Sequence, residues 1–583
     1  MDTPCSSLLV TSERGDDLPV LLGHFRKMEV AAWIDEVLPA PHGNHQGLSF
    51  GNLATGVLSY ILTQGDHRLS PVEEWSQTHS QVLRQGLGVP VGPKDFTDDR
   101  LEDLLKALGD GATRPWEALE ERLGQHLIYA YRLPTQTARL DTTSVSVYHQ
   151  PPLEAQTSSL LQFGYSKDHR PDLRQFVELL GTLDPSGIPL ITQTLSGNQA
   201  DDGVYLPAWQ RMVGVLGRSD FLLVADCKFA SLDTRMRVQT QGGLYLAPVP
   251  DTGERPELLR TWVLSPPSPV QDLWPNGVPE PSSSEQEALY RGFEVLRQIE
   301  GYDAQQGAWV SWEERWLCIQ SRAHAQQQIA GILGRLQRAE AALEKLSQRP
   351  GKDRAALEKK VHFLLSHHRV EGLLHVEILQ EETVRRIYRG RGRPGPQTPF
   401  DEVSKSTFHL TFHRKEEALQ EAQALAGWRL YVTNAPSERL SLEEALKAYL
   451  GQWQPERGFA RLKGRPLQAA SIYLRDEICI RGMLVILGLA LRGLTLVEHE
   501  VRRELQAQGE ELAGLYEGNP HRTTDRPTTE RLLKVFEGMT WYRVEGADQV
   551  LSQSTPLTPL QKKILALMGF SEEIYSPPSL RGG

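Results

Sequence analysis

The sequence predicts an α/β (α+β) protein: a helical amino-terminal domain, then a sheet-bearing core that carries a large insertion. Three observations predict it. Residues 18–130 show helical apolar spacing with start and stop signals. Near residue 136 the texture changes to short β-like runs, and one of them, Phe221–Ala225, is apolar throughout. Residues 436–500 return to a helical pattern.

The elements follow in order. Phe50 to Leu62 spaces its apolar residues as a helix does. Thr97 to Gly109 has a start, an amphipathic body and a glycine stop. Thr113 to Leu123 repeats that plan, with Pro115 near the first turn. A bundle of this kind serves either DNA end binding or plain scaffolding. Strands are expected at Ala138–Tyr148, Leu160–Tyr165 and Val177–Thr182. The turn Asp184-Pro185-Ser186-Gly187 then leads into a strand at Ile188–Leu195, which is a hairpin signal. Residues 201–217 read as a helix, and the continuous apolar run after it as a strand buried on both faces. Residues 240–320 are rich in Pro and Trp and show no clear period. Gln320 to His375 is charged and helical, with a break at Arg349-Pro350-Gly351-Lys352 that makes it a helical hairpin. Strands return at Glu377–Tyr388, Thr407–Phe412 and Trp428–Thr433. The resulting division is 1–130 (helical), 131–240 (first part of the core), 241–435 (insertion, partly β), 436–500 (helical end of the core) and 501–583 (helical).

Composition narrows the function. The chain has 583 residues, 39% hydrophobic and 23% charged, which suits a globular protein of two to four domains. Residues 1–20 have neither a basic start nor a long apolar core, so no signal peptide is expected. The most apolar stretch, Gly482 to Val497, is interrupted by Arg492 and reads as a buried helix, so no membrane partner is expected. Four scattered cysteines form no metal-binding pair and no disulfide framework, which fits a reducing cytoplasm. The net charge of −11 argues mildly against nucleic acid, but it averages over local basic clusters.

Three carboxylates stand in telling settings. Asp141 lies in the β-like run Leu140-Asp141-Thr142-Thr143, and Asp226 closes the apolar run Phe221–Ala225. In sheets of this kind ligands gather beyond the carboxyl ends of strands, where Asp226 stands. Glu456 lies in a helical stretch, with Tyr449 and Lys463 each seven residues away, a two-turn spacing that puts all three on one face. Pro455 complicates that face, because the helix can restart near Gln454. Two acids at strand ends and one on a helix suit a pair of hard divalent cations flanking an in-line phosphoryl displacement. The plainer alternatives are a strand-edge Asp, a turn-capping Asp and a solvated helix face. Lys167, in the run Ser166 to Arg170, is placed to touch a DNA backbone near Asp141, or else sits in a polar loop. Arg391 and Arg393 flank Gly392 in an Arg-Gly-Arg-Pro run that suits a minor groove, or else form a solvated basic loop.

These residues resemble the DDE transposases of bacterial insertion sequences, in the insertion-sequence-four superfamily with its Tyr-x2-Arg-x3-Glu-x6-Lys signature. The spacing Tyr449, Gln452, Glu456, Lys463 carries the likeness. So do Phe96 to Leu101, Gly164 to Leu173, Gly187 to Leu190, Gly197-Asn198 and Arg526-Pro527-Thr528, over residues 20–575. The resemblance implies an RNase H-like catalytic core and a largely β insertion between the second Asp and the Glu. It also implies two Mg²⁺ ions, with Mn²⁺ as a substitute, held by Asp141, Asp226 and Glu456. Tyr449, Gln452 and Lys463 would position phosphates. The implied activity is cleavage at the element's ends and strand transfer. The implied partners are terminal inverted repeats, target DNA and a second copy in a synaptic homodimer, in a bacterial cytoplasm at the nucleoid. One departure stands out: Gln452 occupies the signature Arg position, and Arg457 and Arg461 are the nearby residues able to take its role. A decayed or repurposed DNA-binding relative and another RNase H-like nuclease are the alternative readings.

Overall fold

The computed structural model describes residues 9–40, 47–148, 160–200, 203–275, 288–349, 351–389, 391–545 and 550–577. The chain forms two compact units. One comprises Met1–Ala247, Glu300–Ser311 and Ala448–Gly583, the other Pro248–Ile299 and Trp312–Lys447.

The first unit begins with β1 (Leu9–Arg14), α1 (Leu18–Lys27), α2 (Val30–Val37) and α3 (Phe50–Gln64). Next come α4 (Val72–Thr78), α5 (Ser80–Leu87), α6 (Asp98–Gly109) and α7 (Pro115–Tyr131). Local signals explain several boundaries. Ser49 caps α3 by accepting from the Asn52 N–H, and Gly65 ends it at φ 62°. Pro115 opens α7, where a missing N–H costs nothing.

The sheet of this unit follows: β2 (Thr137–Val147), β3 (Arg174–Leu183), β4 (Ile188–Ser196), α8 (Tyr205–Leu216), β5 (Leu222–Val224), α9 (Leu232–Thr240) and β6 (Leu244–Pro248). Its strand order is β4-β3-β2-β5-β6. β3 runs antiparallel to β2 and β4, whereas β2, β5 and β6 are parallel. The turn at Asp184–Gly187 closes β3 onto β4 with Leu183 opposite Ile188, and Gly187 supplies φ 68°. The run expected as a strand at Leu160–Tyr165 contributes only one bridge, Gln162 to Gln175.

The second unit contains α10 (Arg255–Leu264), β7 (Gln271–Leu273), most of β8 (Tyr290–Asp303) and of β9 (Ala308–Ser321), α11 (Arg322–Ser347) and α12 (Arg354–His368). It continues with β10 (Leu374–Tyr388), β11 (Phe400–Arg414), α13 (Glu416–Ala424) and β12 (Trp428–Thr433). The order β12-β9-β8-β7 puts two long strands where the sequence shows no period, because their exposed faces carry apolar as well as polar residues. Helices α11 and α12 pack Leu336, Leu343, Leu357 and Val361 against Leu374 and Leu410 at the base of the β10–β11 hairpin. The far half of that hairpin is exposed.

The chain closes with α14 (Leu442–Leu450), α15 (Trp453–Lys463), α16 (Glu477–Gln508), β13 (Leu512–Ala513), β14 (Thr523–Thr524), α17 (Thr529–Lys534), β15 (Thr540–Glu545), β16 (Val550–Ser554) and α18 (Pro559–Leu567). Helix α16 is long and apolar enough to cross a membrane, yet its apolar stretch is buried in the first unit. Asp476 caps it by accepting from Ile478 and Cys479. It crosses α6 at glycines: a Cβ on Gly482 would lie 2.0 Å from the Leu105 carbonyl, and one on Gly109 2.0 Å from the Ile478 carbonyl. The helical region expected over 501–583 is interrupted by strands β13 to β16. β15 pairs with both β1 and β16, joining the two ends of the described chain in one sheet.

Candidate active site

Asp141 lies in the interior of β2, opposite Leu180 of β3, and not at a strand end as expected, because the pairing with β3 continues past it to Val147. On the other side of β2 the parallel pairing with β5 ends at Arg139 opposite Val224. Two residues further along each chain stand Asp141 and Asp226. A fully buried parallel strand is thus followed by an acid on the side of the sheet where its neighbour β2 carries Asp141. The Asp226 carboxylate accepts from the Lys228 N–H (2.9 Å), shaping the turn that leaves the sheet.

Glu456 is exposed in the first turn of α15, which packs on β2 and β3. Gly458 permits the close approach, since a Cβ there would lie 3.0 Å from Leu180, the residue paired with Asp141. Pro455 is buried at the third position of this helix, where no N–H is needed.

Electrostatics tie the three acids together. Burial pushes the Asp141 carboxyl up to about 7. The Thr142 N–H, donating at 2.8 Å, and the Lys167 ammonium pull it back, while Asp226 and Glu456 push it up further. Lys167 is held beside Asp141: its Nζ donates to the Thr142 carbonyl (2.7 Å) and hydroxyl (2.8 Å), and its N–H donates to Ser144 Oγ (2.7 Å). Lys463, at the far end of α15, pairs with Asp168 (2.9 Å), the residue after Lys167. The loop 166–170 therefore joins the strand of Asp141 to the helix of Glu456. Among the described residues no three His, Cys, Asp or Glu side chains converge closely enough to hold a metal ion as they stand.

Three expectations are corrected. Tyr449 does not share a helix with Glu456 and Lys463. It lies in α14, which ends at Leu450, and tight turns from Ala448 to Gln454 intervene before α15 is under way. Gln452 does not present its side chain to an open surface. Its Nε2 is buried, and its Oε1 accepts from Arg139 Nη1 (3.5 Å). Arg457 and Arg461 do not take up the signature Arg position, because both are drawn to Glu498 of α16. Arg391 and Arg393 belong to the second unit, exposed at the turn between β10 and β11.

Sequence reasoning missed Arg139. It precedes Asp141 by two residues and so leaves the same face of β2. It is 1% exposed, pairs with Asp184 (2.6 Å), and lies so close to Gly451 that a Cβ there would meet its Nη2 at 2.3 Å. Gln454 donates to the other oxygen of Asp184. One buried guanidinium thus ties β2, the β3–β4 turn and the start of α15. The signal available in the sequence was the two-residue spacing of Arg139 and Asp141.

No protein-family model and no curated protein matches the sequence. Among solved structures, a similar chain is the piggyBac transposase, determined by cryo-EM as a synaptic complex with hairpin DNA. Identity is 8%, the match covers 89% of this chain and 79% of that one, and the TM-score is 0.34. A likeness of that size carries no argument, so the chemistry of the site rests on the geometry above.

Proposed function

We propose that the protein is a DDE transposase with an RNase H-like core, cutting DNA at the ends of a mobile element and joining the freed 3′ ends to target DNA. The observation that carries this is the neighbourhood of Asp141. Asp226 follows the adjoining parallel strand, Glu456 opens a helix packed on β2 and β3, and both charges are felt at the Asp141 carboxyl. An antiparallel hairpin continued by two parallel strands, with acids beyond the last parallel pairing, supports the RNase H-like reading.

The donor set fits Mg²⁺ by chemistry. It is all carboxylate oxygen, and the Asp226 and Glu456 charges add to burial in raising the Asp141 carboxyl. Asp141, Asp226 and Glu456 would hold the ions, their side chains drawing together to do so. Bound Mg²⁺ would supply Lewis-acid stabilisation of the attacking and leaving oxygens. The protein's own part is placement. Lys167 and Lys463 offer positive charge to the backbone of the scissile strand, and Arg139 with Gln452 holds α15 against β2. In cleavage a water oxygen bonds to phosphorus as the bond to the 3′ oxygen breaks; the water's proton passes to solvent, and the departing 3′ oxygen takes one up to become the 3′-OH. In strand transfer the freed 3′-OH attacks a target phosphodiester in the same way and releases a target 3′-OH.

The open spacing of the three carboxylates favours a second reading, a transposase-derived protein that binds DNA without cutting it. Asp226→Asn removes one metal-ligand charge without changing shape. The assay is nicking of a duplex carrying the inverted repeats that flank the gene, with Mg²⁺ or Mn²⁺. The transposase reading expects nicking by the wild type, and binding without nicking by the variant. Equal rates in both would remove Asp226 from the mechanism, and retained binding with no nicking by the wild type would establish the second reading.

A further inference from the structure

A cluster of arginines gathers on the flank of α15 next to the one that bears Glu456 and Lys463. Arg457 and Arg461 are one and five residues beyond Glu456, so they share a stripe about 100° around the helix. Both pair with Glu498 of α16, as does Arg502, one turn further along α16. Glu498 is only 3% exposed and forms the floor of the cluster. Above it Arg457 and Arg502 are 32% and 28% exposed. Arg461 also reaches Glu530 of α17 (3.1 Å). Arg502 donates to the backbone carbonyl of Pro527 (3.1 Å), which holds the exposed Arg526 beside the group.

The charges do not balance. Arg457, Arg461 and Arg502 face Glu498, Arg461 also reaches Glu530, and Arg526 lies alongside Arg502, so four cations stand against two anions. The surplus is felt inside the cluster. Burial lowers the pKa of Arg502, Glu498 raises it, and Arg457, Arg461 and Arg526 each lower it again. Repulsion of this kind is relieved by an anion with several acceptor oxygens. Guanidinium forks match the oxygens of a phosphate in both spacing and charge.

We propose that Arg457, Arg502 and Arg526, seated on Glu498, form a binding site for a backbone phosphate of DNA on the flank of α15 beside Glu456. The inference rests on the transposase reading only for the identity of the DNA. The phosphate site is a property of the cluster itself. A strand crossing the exposed Glu456 side of α15 would rest its neighbouring phosphate here, and such contacts fix register rather than sequence.

The test compares wild type with Arg457→Gln/Arg502→Gln and with Arg526→Gln. Arg461 still neutralises Glu498 in the double variant, and Arg526 is exposed, so both variants keep the floor of the site. Thermal unfolding is followed with inorganic phosphate against chloride at equal ionic strength, and duplex-DNA binding is followed against salt. The proposal expects phosphate to raise the wild-type Tm and to raise that of the double variant far less. It expects the slope of log K against log salt to fall by roughly 0.9 for each lost phosphate contact, in both variants. An equal phosphate effect in wild type and double variant would overturn it. So would a phosphate effect lost without any change in salt slope, which would assign the cluster to a free anion instead. Expected shifts and slopes from a wild type that never nicks DNA would leave this site standing while the transposase reading fell.

Discussion

Replacing Gln452 by Arg would restore the signature residue, and from sequence alone it should strengthen a phosphate contact. The structure predicts the opposite. Gln452 Oε1 accepts from Arg139, and its Nε2 is buried. A guanidinium there would meet Arg139 in a pocket whose acid partner is Asp184. Arg139 is 1% and Asp184 18% exposed, so their ion pair is largely shielded from water. Breaking a buried pair costs about 3–5 kcal/mol. Asp184 keeps some solvent and the amide of Gln454, so Arg139→Gln should cost at the lower end, about 3 kcal/mol. Gln452→Arg should cost about 1–3 kcal/mol through an unpaired buried charge. The double variant Arg139→Gln/Gln452→Arg returns one guanidinium to Asp184 from the helix side. It should be more stable than the sum of the singles by about 1–3 kcal/mol, the range for residues in one network. Urea denaturation of the four proteins measures the cycle, and nicking rates should follow the same order because the network sets the start of α15. A neutral or activating Gln452→Arg, or simple additivity, would refute the reasoning.

Three more outcomes are expected. Arg391→Ala/Arg393→Ala should weaken DNA binding and lower its salt slope by roughly 0.9 per lost phosphate contact, and an unchanged slope would make the exposed turn plain solvated surface. Glu178 is 2% exposed and accepts from Thr194 Oγ1 (2.8 Å). Burial pushes it up to about 8; Thr194 lowers it, Glu120 raises it and Arg211 lowers it. Because its folded pKa exceeds its unfolded value of about 4.3, its stability contribution is complete below that value and is lost as pH rises towards about 8. Glu178→Gln should therefore flatten the fall in urea midpoint between acid and mildly alkaline pH, and an unaltered profile would show that Glu178 is ionised in the folded state. Gly482→Ala would put a Cβ 2.0 Å from the Leu105 carbonyl where α16 crosses α6, and should cost about 1–3 kcal/mol by overpacking, read as a lower urea midpoint. A midpoint equal to that of the wild type would mean the two helices are free to move apart.

Features set by neighbouring residues were legible in the sequence. The Pro-Ser-Gly turn that closes β3 on β4, the proline at the start of α7 and the apolar run of β5 each depend on local dihedrals or on burial of one short segment. So does the break between α11 and α12, where Arg349 to Lys352 separates two charged helices. Asp141 and Asp226 could be singled out because an acid in or after an apolar strand is conspicuous by itself. Tertiary structure decided everything that joins distant parts of the chain. It set the strand that precedes Asp226 in parallel beside the strand of Asp141, and it divided Tyr449 from Glu456 by turns that no residue count reveals. It supplied a guanidinium from Arg139 of β2 beside Gln452 at the cap of α15, and it turned Arg457 and Arg461 towards Glu498. The physical reason is range. Turns, caps and strand apolarity act over a few residues, whereas an ion pair or a strand register depends on which surfaces the whole core brings within a few ångströms.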